Sequence, residues 1–204
     1  YSYERPLGSG ASGVVIVASD QLLGREVAIK ILRVENLGGV VDDNVRQRFL
    51  REAKTLAAID HPNIVKVLAS DLSTDGHPFH VMEFLDGKPL SQCINGKPLT
   101  TEFFAEIFRQ ICAGLACAHD AGVVHRDLKP SNILVCKENS EQKTIAKIID
   151  FGIARVENPS ADGANLTKTN AIIGSPAYMS PEQCRSQPAG KSSDIYSLGC
   201  VMFE

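Results

Sequence analysis

Between Val123 and Asn132 the chain reads VVHRDLKPSN, and His125, Arg126, Asp127, Lys129 and Asn132 crowd reactive side chains into that short stretch. The apolar run ILV follows at once. A carboxylate such as Asp127 can accept a proton from a hydroxyl nucleophile, and an ammonium such as Lys129 can meet the charge on a transferring phosphoryl group. A solvated, charge-rich loop would explain neither the valines before this segment nor the buried strands after it. Those strands are NILVC and TIAKIID, separated by KENSEQK, a pattern that predicts an antiparallel hairpin. The hairpin would bring Asn132 and Asp150 side by side at its open end. An amide oxygen beside a carboxylate is a hard-oxygen pair suited to Mg2+ held jointly with substrate phosphates.

A second group lies near the N-terminus. GSGASGVV supplies Gly8, Gly10 and Gly13 in a Gly-x-Gly-x-x-Gly pattern that is weak evidence alone. A dinucleotide fingerprint needs a helix directly after the glycines, yet VVIVA is strand-like, and no Gly-Lys-Ser/Thr of the Walker type occurs. What remains is a hairpin whose glycine tip drapes backbone N–H groups over phosphates. Lys30 sits in VAIKIL, a strand apolar on both faces, so its ammonium must reach water or meet an anion. Glu52 lies on the apolar face of the following helix, and the expected pairing is Lys30 with Glu52.

These groups need a scaffold. VVIVA and VAIKIL read as strands joined tightly, with Tyr3 to Leu7 ahead of them. The segment 42–59 then places Val45, Phe49, Ala53, Leu56 and Ala57 at helical spacing, with Asp42 or Asp43 as N-cap. HPNIVKVLAS and FHVMEFL are expected as two further strands around the turn STDGHP. From Thr100 a long helix follows, capped by Thr100 or Thr101 and stopped at Gly122, with Phe104, Ile107, Phe108, Ile111 and Leu115 inward. A small β-rich lobe thus gives way to a helical lobe near residues 86 to 90.

Composition narrows the partners. The 204 residues are 44% hydrophobic, ample for a core, and the net charge of −3 with no dense Lys/Arg block disfavours nucleic acid. Six scattered cysteines lack zinc-like spacing and read as reduced, in a cytosolic setting. No apolar run approaches the roughly 18 residues of a membrane span. The first residue is Tyr1, so a longer protein with membrane segments elsewhere is compatible with this reading.

GSGASGVV, VAIK, Glu52, HRDLKPSN, DFG at Asp150 to Gly152, SPE at Ser180 to Glu182 and DIYSLG at Asp194 to Gly199 together resemble, in order and spacing, the protein-kinase signature set. The resemblance implies an α+β, bilobal protein-kinase-like fold: an N-terminal five-stranded antiparallel sheet plus one helix over 1–86, and a mainly helical C-terminal lobe over 87–204. It implies Asp127 as catalytic base, Lys129 as γ-phosphate contact, Asn132 and Asp150 as metal ligands, and Lys30, paired to Glu52, as α/β-phosphate contact. VMEFL resembles the hinge, with Met82 as gatekeeper and the backbones of Glu83 and Leu85 reading adenine, while Leu7, Val15, Ala28 and Leu134 sandwich the base. Leu56, Val67, His125 and Phe151 match the family's stacked spine, anchored by Asp194.

The implied cofactors are ATP and Mg2+ (or Mn2+), and the implied substrates are proteins. DLKPSN and GSPAYMSPEQ resemble serine/threonine kinases of bacterial type. Arg126 before Asp127 marks regulation by a phosphate on Thr167 or Thr169 of the activation loop, whereas Ser175 would orient Asp127 and Lys129. Two features depart from the family: the polar insertion KENSEQKT and the end of the chain at Glu204, where further helices are expected, one bearing an arginine partner for Glu182. The sequence therefore reads as a fragment or truncated product whose lower lobe exposes apolar surface. A silent pseudokinase is disfavoured because Lys30, Asp127 and Asp150 are all present. A small-molecule kinase is disfavoured by GSPAYMSPEQ.

Overall fold

The computed structural model describes residues 1–10, 13–32, 43–94, 96, 98–137, 143–151 and 176–204. β1 (Ser2–Gly10), β2 (Gly13–Asp20) and β3 (Arg25–Leu32) form the expected meander. With β4 (Val67–Leu72) and β5 (Pro78–Glu83) they make an antiparallel sheet in the order β1-β2-β3-β5-β4. The β2–β3 turn is tied by the Leu23 N–H donating to Asp20 Oδ1 and by Gly24 at φ 62. The β4–β5 turn closes through the Ser73 N–H on the His77 carbonyl, with Gly76 at φ 81. β-Branched residues on alternating faces suit both sides of this sheet, because Val27, Ile29 and Val81 pack on one face while Ala28 and Met82 join the main core on the other.

Helix α1 (Asp43–Ala57) lies on that second face and buries Phe49, Ala53 and Leu56. Ala57, expected inward, is exposed in the last turn. Asp43 is the first helical residue, and Asp42 falls outside the described residues.

The strand expected over HPNIVKVLAS starts only at Val67. Residues 63–65 leave the first sheet and pair instead with β8 (Thr144–Ile148): the Val65 N–H donates to the Ile148 carbonyl and the Ile148 N–H to the Asn63 carbonyl. The Asn63 amide adds bonds to Gln110 Oε1 and the Ala146 carbonyl, each 2.8 Å. A pattern of apolar residues cannot tell which sheet a strand joins, and here the second sheet wins.

That second sheet runs β6-β7-β8 and contains β6 (Gly87–Pro89) and β7 (Ile133–Lys137). β6 and the short helix α2 (Leu90–Ile94) lie where the sequence suggested only a change of character. Behind them α3 (Thr101–Asp120) takes Thr100 as its N-cap, with Oγ1 accepting the Phe103 N–H, and turns off at Gly122, φ 77. Ile107, Phe108, Ile111 and Leu115 are buried as expected, with Phe104 half-buried and its ring tilted against that of Phe108.

A short helix α4 (Pro181–Cys184) and helix α5 (Lys191–Phe203) close the described structure. On α5, Ser193, Asp194, Leu198 and Val201 are buried, whereas Ile195, Tyr196, Met202 and Phe203 face outward. All six cysteines are free thiols. No helix among the described residues is long and apolar enough to cross a membrane.

Candidate active site

The predicted polar cluster forms one connected object. A 3-10 turn, Pro130–Asn132, delivers Asn132 to the start of β7, where it is 6% exposed. Its Nδ2 donates to the Asp127 carbonyl at 2.8 Å and to Asp127 Oδ2 at 3.3 Å. Lys129 Nζ stands 3.0 Å from the same Asp127 Oδ2. With Nδ2 turned to Asp127, Asn132 keeps Oδ1 as an acceptor. Across the hairpin, the Ile149 N–H donates to the Asn132 carbonyl, which sets Asp150 one residue beyond.

The loop before Asp127 is fixed by buried polar groups. His125 is fully buried; its Nε2 lies 2.9 Å from the Ile149 carbonyl and its Nδ1 accepts the Asp127 N–H at 3.2 Å. Those roles define a neutral imidazole with the proton on Nε2, in keeping with burial that pushes its pKa down. Arg126 adopts φ 64, a left-handed backbone that a side chain rarely takes. Asp194, 1% exposed on α5, accepts the His125 and Arg126 N–H groups at 2.8 Å each, and its Oδ2 also meets His119 Nε2 at 2.8 Å.

The opposite wall is the first sheet. A Cβ on Gly13, φ 148, would come within 2.0 Å of the Ile31 carbonyl oxygen, so only glycine lets β2 lie this close to β3. Gly8 and Gly10 face open space, and Gly10 pairs with Gly13 at the hairpin mouth.

Lys30 is 7% exposed, and its ammonium pairs with Asp150 Oδ1 at 2.8 Å. The sequence pointed to Glu52, which is half-buried on α1, and did not weigh Asp150 as a counterion. Asp150, φ 61, arrives from beyond β8 and satisfies the buried ammonium.

The remaining predicted residues differ in burial. Ala28 and Met82 are buried, Val15, Leu85 and Leu134 half-buried, and Leu7 is exposed on β1. Leu56, Val67 and Phe151 share the main core, and the Phe151 ring lies 4.8 Å from that of His125. The Glu83 side chain, at the end of β5, has contacts of its own: Oε1 accepts the Lys66 N–H at 2.8 Å and meets Lys147 Nζ at 2.6 Å, tying β5 to β8. Gly152, Thr167, Thr169 and Ser175 lie outside the described residues.

Sequence reasoning also missed partners on α4 and α5. Ser193 Oγ donates to Glu182 Oε1 at 2.5 Å and holds the Glu182 carboxyl below its ordinary range, occupying the acid for which an arginine was expected. Gln183 reaches the Arg126 carbonyl at 2.8 Å. The signal for the first half of that role was present, since SPEQ has the Ser-x-x-Gln spacing of a capping box.

Asn132 Oδ1 and the Asp150 carboxylate fit a divalent cation by donor chemistry, two hard oxygens flanking the Asp127 cluster. The described residues thus bring Asp127, Lys129 and Asn132 into contact with one another, and Lys30 into contact with Asp150.

Comparisons with known proteins agree. Residues 1–204 match the protein kinase domain family. The chain is 40% identical over 208 residues to the "Probable serine/threonine-protein kinase PknB" of Corynebacterium glutamicum, covering 100% of this chain and 31% of that protein. It is 40% identical over 215 residues to the serine/threonine-protein kinase A of a Synechocystis species, again covering 100% of this chain and 40% of the relative. The crystal structure of the Mycobacterium tuberculosis PknI kinase domain superposes with a TM-score of 0.73 at 24% identity, over 99% of this chain and 72% of that one. The chain thus spans about a third of the length of the curated relatives it matches.

Proposed function

The chain belongs to the protein kinase domain family, and from that premise we propose that it transfers the γ-phosphoryl group of ATP to serine and threonine hydroxyls of protein substrates. The observation that carries this reading is the Asp127 carboxylate held by Asn132 and Lys129 in a cleft where Lys30 and Asp150 meet. The names of the relatives support the choice of serine and threonine.

In this reading Asp127 accepts the proton of the attacking hydroxyl, and Lys129 and Lys30 meet the γ- and α/β-phosphates. Gly8, Gly10 and Gly13 let backbone N–H groups approach the phosphates. Adenine lies between Leu7, Val15 and Ala28 above and Leu134 below, with the Glu83 and Leu85 backbones as its hydrogen-bonding edge. Asn132 and Asp150 would hold Mg2+, with Mn2+ as the alternative, and the bound cation would neutralise phosphate charge. Residues 1–86 act as the nucleotide-covering lobe and 87–204 as the catalytic lobe. Thr167 or Thr169 is the site at which the chain phosphorylates itself. Dependence on ATP and six free thiols support a cytoplasmic placement of this domain, whatever anchors the longer protein.

The test is incorporation of label from γ-labelled ATP with Mg2+, and separately Mn2+, into the chain itself and a generic basic protein. Asp127→Asn should lower transfer by about 10²- to 10⁴-fold, the usual worth of a positioned base. Equal incorporation in the variant would sink the reading, and nucleotide binding without transfer in the parent would point to a silent binding module.

A further inference from the structure

We propose that Gln183 is a positioning residue for the catalytic aspartate, acting through the peptide bond between Arg126 and Asp127. The inference deepens the kinase reading and rests on it.

Gln183 uses both ends of its amide. Its Oε1 accepts the Ser180 N–H at 3.1 Å, and its own N–H donates to Ser180 Oγ at 3.4 Å, a reciprocal capping box at the start of α4. That duty belongs to the helix and leaves Nε2 over. Nε2 donates to the Arg126 carbonyl at 2.8 Å, across a sequence separation of 57 residues.

The receiving peptide belongs to a strained segment held from several sides. Arg126 sits at φ 64, a conformation that costs on the order of 1–3 kcal/mol and persists only where surroundings over-determine it. The Arg126 N–H is held by Asp194 Oδ1 at 2.8 Å. The next peptide plane, which carries the Arg126 carbonyl and the Asp127 N–H, is held on one edge by Gln183 and on the other by His125 Nδ1 at 3.2 Å. That plane fixes the direction in which Asp127 leaves the backbone. Without Nε2 the plane loses the shorter of these two bonds, and its freedom to rock about the Arg126 and Asp127 dihedrals increases. The base would then be present but poorly aimed, and small misplacements of reacting groups are costly in rate.

Glutamate separates the two duties of the amide. Gln183→Glu keeps an oxygen for the Ser180 N–H but replaces the donor with an oxygen facing the Arg126 carbonyl. Gln183→Met removes the donor without adding charge. The full 204-residue chain and both variants would be compared in kcat, in KM for ATP, in melting temperature and in amide exchange of residues 126–132.

For both variants we expect kcat to fall by about tenfold or more, KM for ATP to stay within about twofold, and exchange at the Asp127 N–H to rise. Gln183→Glu should melt close to the parent. Parent-like kcat and exchange in Gln183→Met would overturn the proposal, as would a loss confined to Gln183→Glu, which would indicate charge repulsion alone. Should the parent transfer no phosphate, the kinase reading fails, and the exchange at Asp127 still decides whether Gln183 holds this peptide.

Discussion

His80 stands directly across the β3–β5 ladder from Lys30, on the cleft side of the sheet. It is 5% exposed, its ring stacks on Phe49 at 4.9 Å, and its Nδ1 lies 2.7 Å from Ser70 Oγ. Nε2 is buried with no partner among the described residues. Burial first, and the neighbouring Lys30 ammonium second, lower its pKa from 6.5 to about 4, while the Asp150 charge works the other way. In the unfolded chain the imidazole takes up its proton near pH 6.5, so folding excludes a proton between that value and 4. Stability is therefore full above pH 6.5 and drains as pH falls toward 4, by on the order of 3 kcal/mol for this residue. His80→Leu should remove that part of the acid sensitivity and match or exceed the parent at pH 7, since an unpaired buried polar atom goes with it. Urea unfolding of both proteins at pH 7 and 4.5 measures the difference; parallel losses on acidification would show that His80 is not the group responsible.

The glycines of the first hairpin show how unequal three matching letters can be within one element. A methyl at Gly13 meets the Ile31 backbone oxygen at 2.0 Å and is strained at φ 148, whereas a methyl at Gly8 meets nothing within 4 Å. Gly13→Ala should cost on the order of 3 kcal/mol in thermal or urea unfolding and weaken nucleotide binding with it. Gly8→Ala should leave stability within about 0.5 kcal/mol, as exposed substitutions usually do. Gly-x-Gly-x-x-Gly names the positions but not which one is packed. The same boundary separates what could be read elsewhere in the sequence. Short apolar runs bounded by turn residues pointed to β2, β3, β5, β7 and β8, and the Thr100 cap and apolar spacing pointed to α3, because those signals are local. The destination of residues 63–65, the three-residue strand β6 and the Asp150 partner of Lys30 depend on segments distant in sequence, which no local period encodes.

Across the whole molecule, Asp194 is where α3, the loop around Asp127 and α5 are joined, through His119, the His125 and Arg126 amides, and its own helix. Removing this carboxylate strands two buried N–H groups and an imidazole. Asp194→Ala should lose about 4 kcal/mol of stability, measured by denaturant unfolding, and abolish transfer even under conditions where the variant stays folded. A change of less than about 1 kcal/mol would mean that these elements hold together by apolar packing alone. The Lys30–Asp150 contact has a different reach, because each partner is the other's counterion. A bare anion must compete with Asp150 for Lys30, and a bare cation must compete with Lys30 for Asp150. A ligand that carries both charges in one package can exchange both partners at once. The pair should therefore yield less readily to phosphate or to metal alone than to the two arriving together.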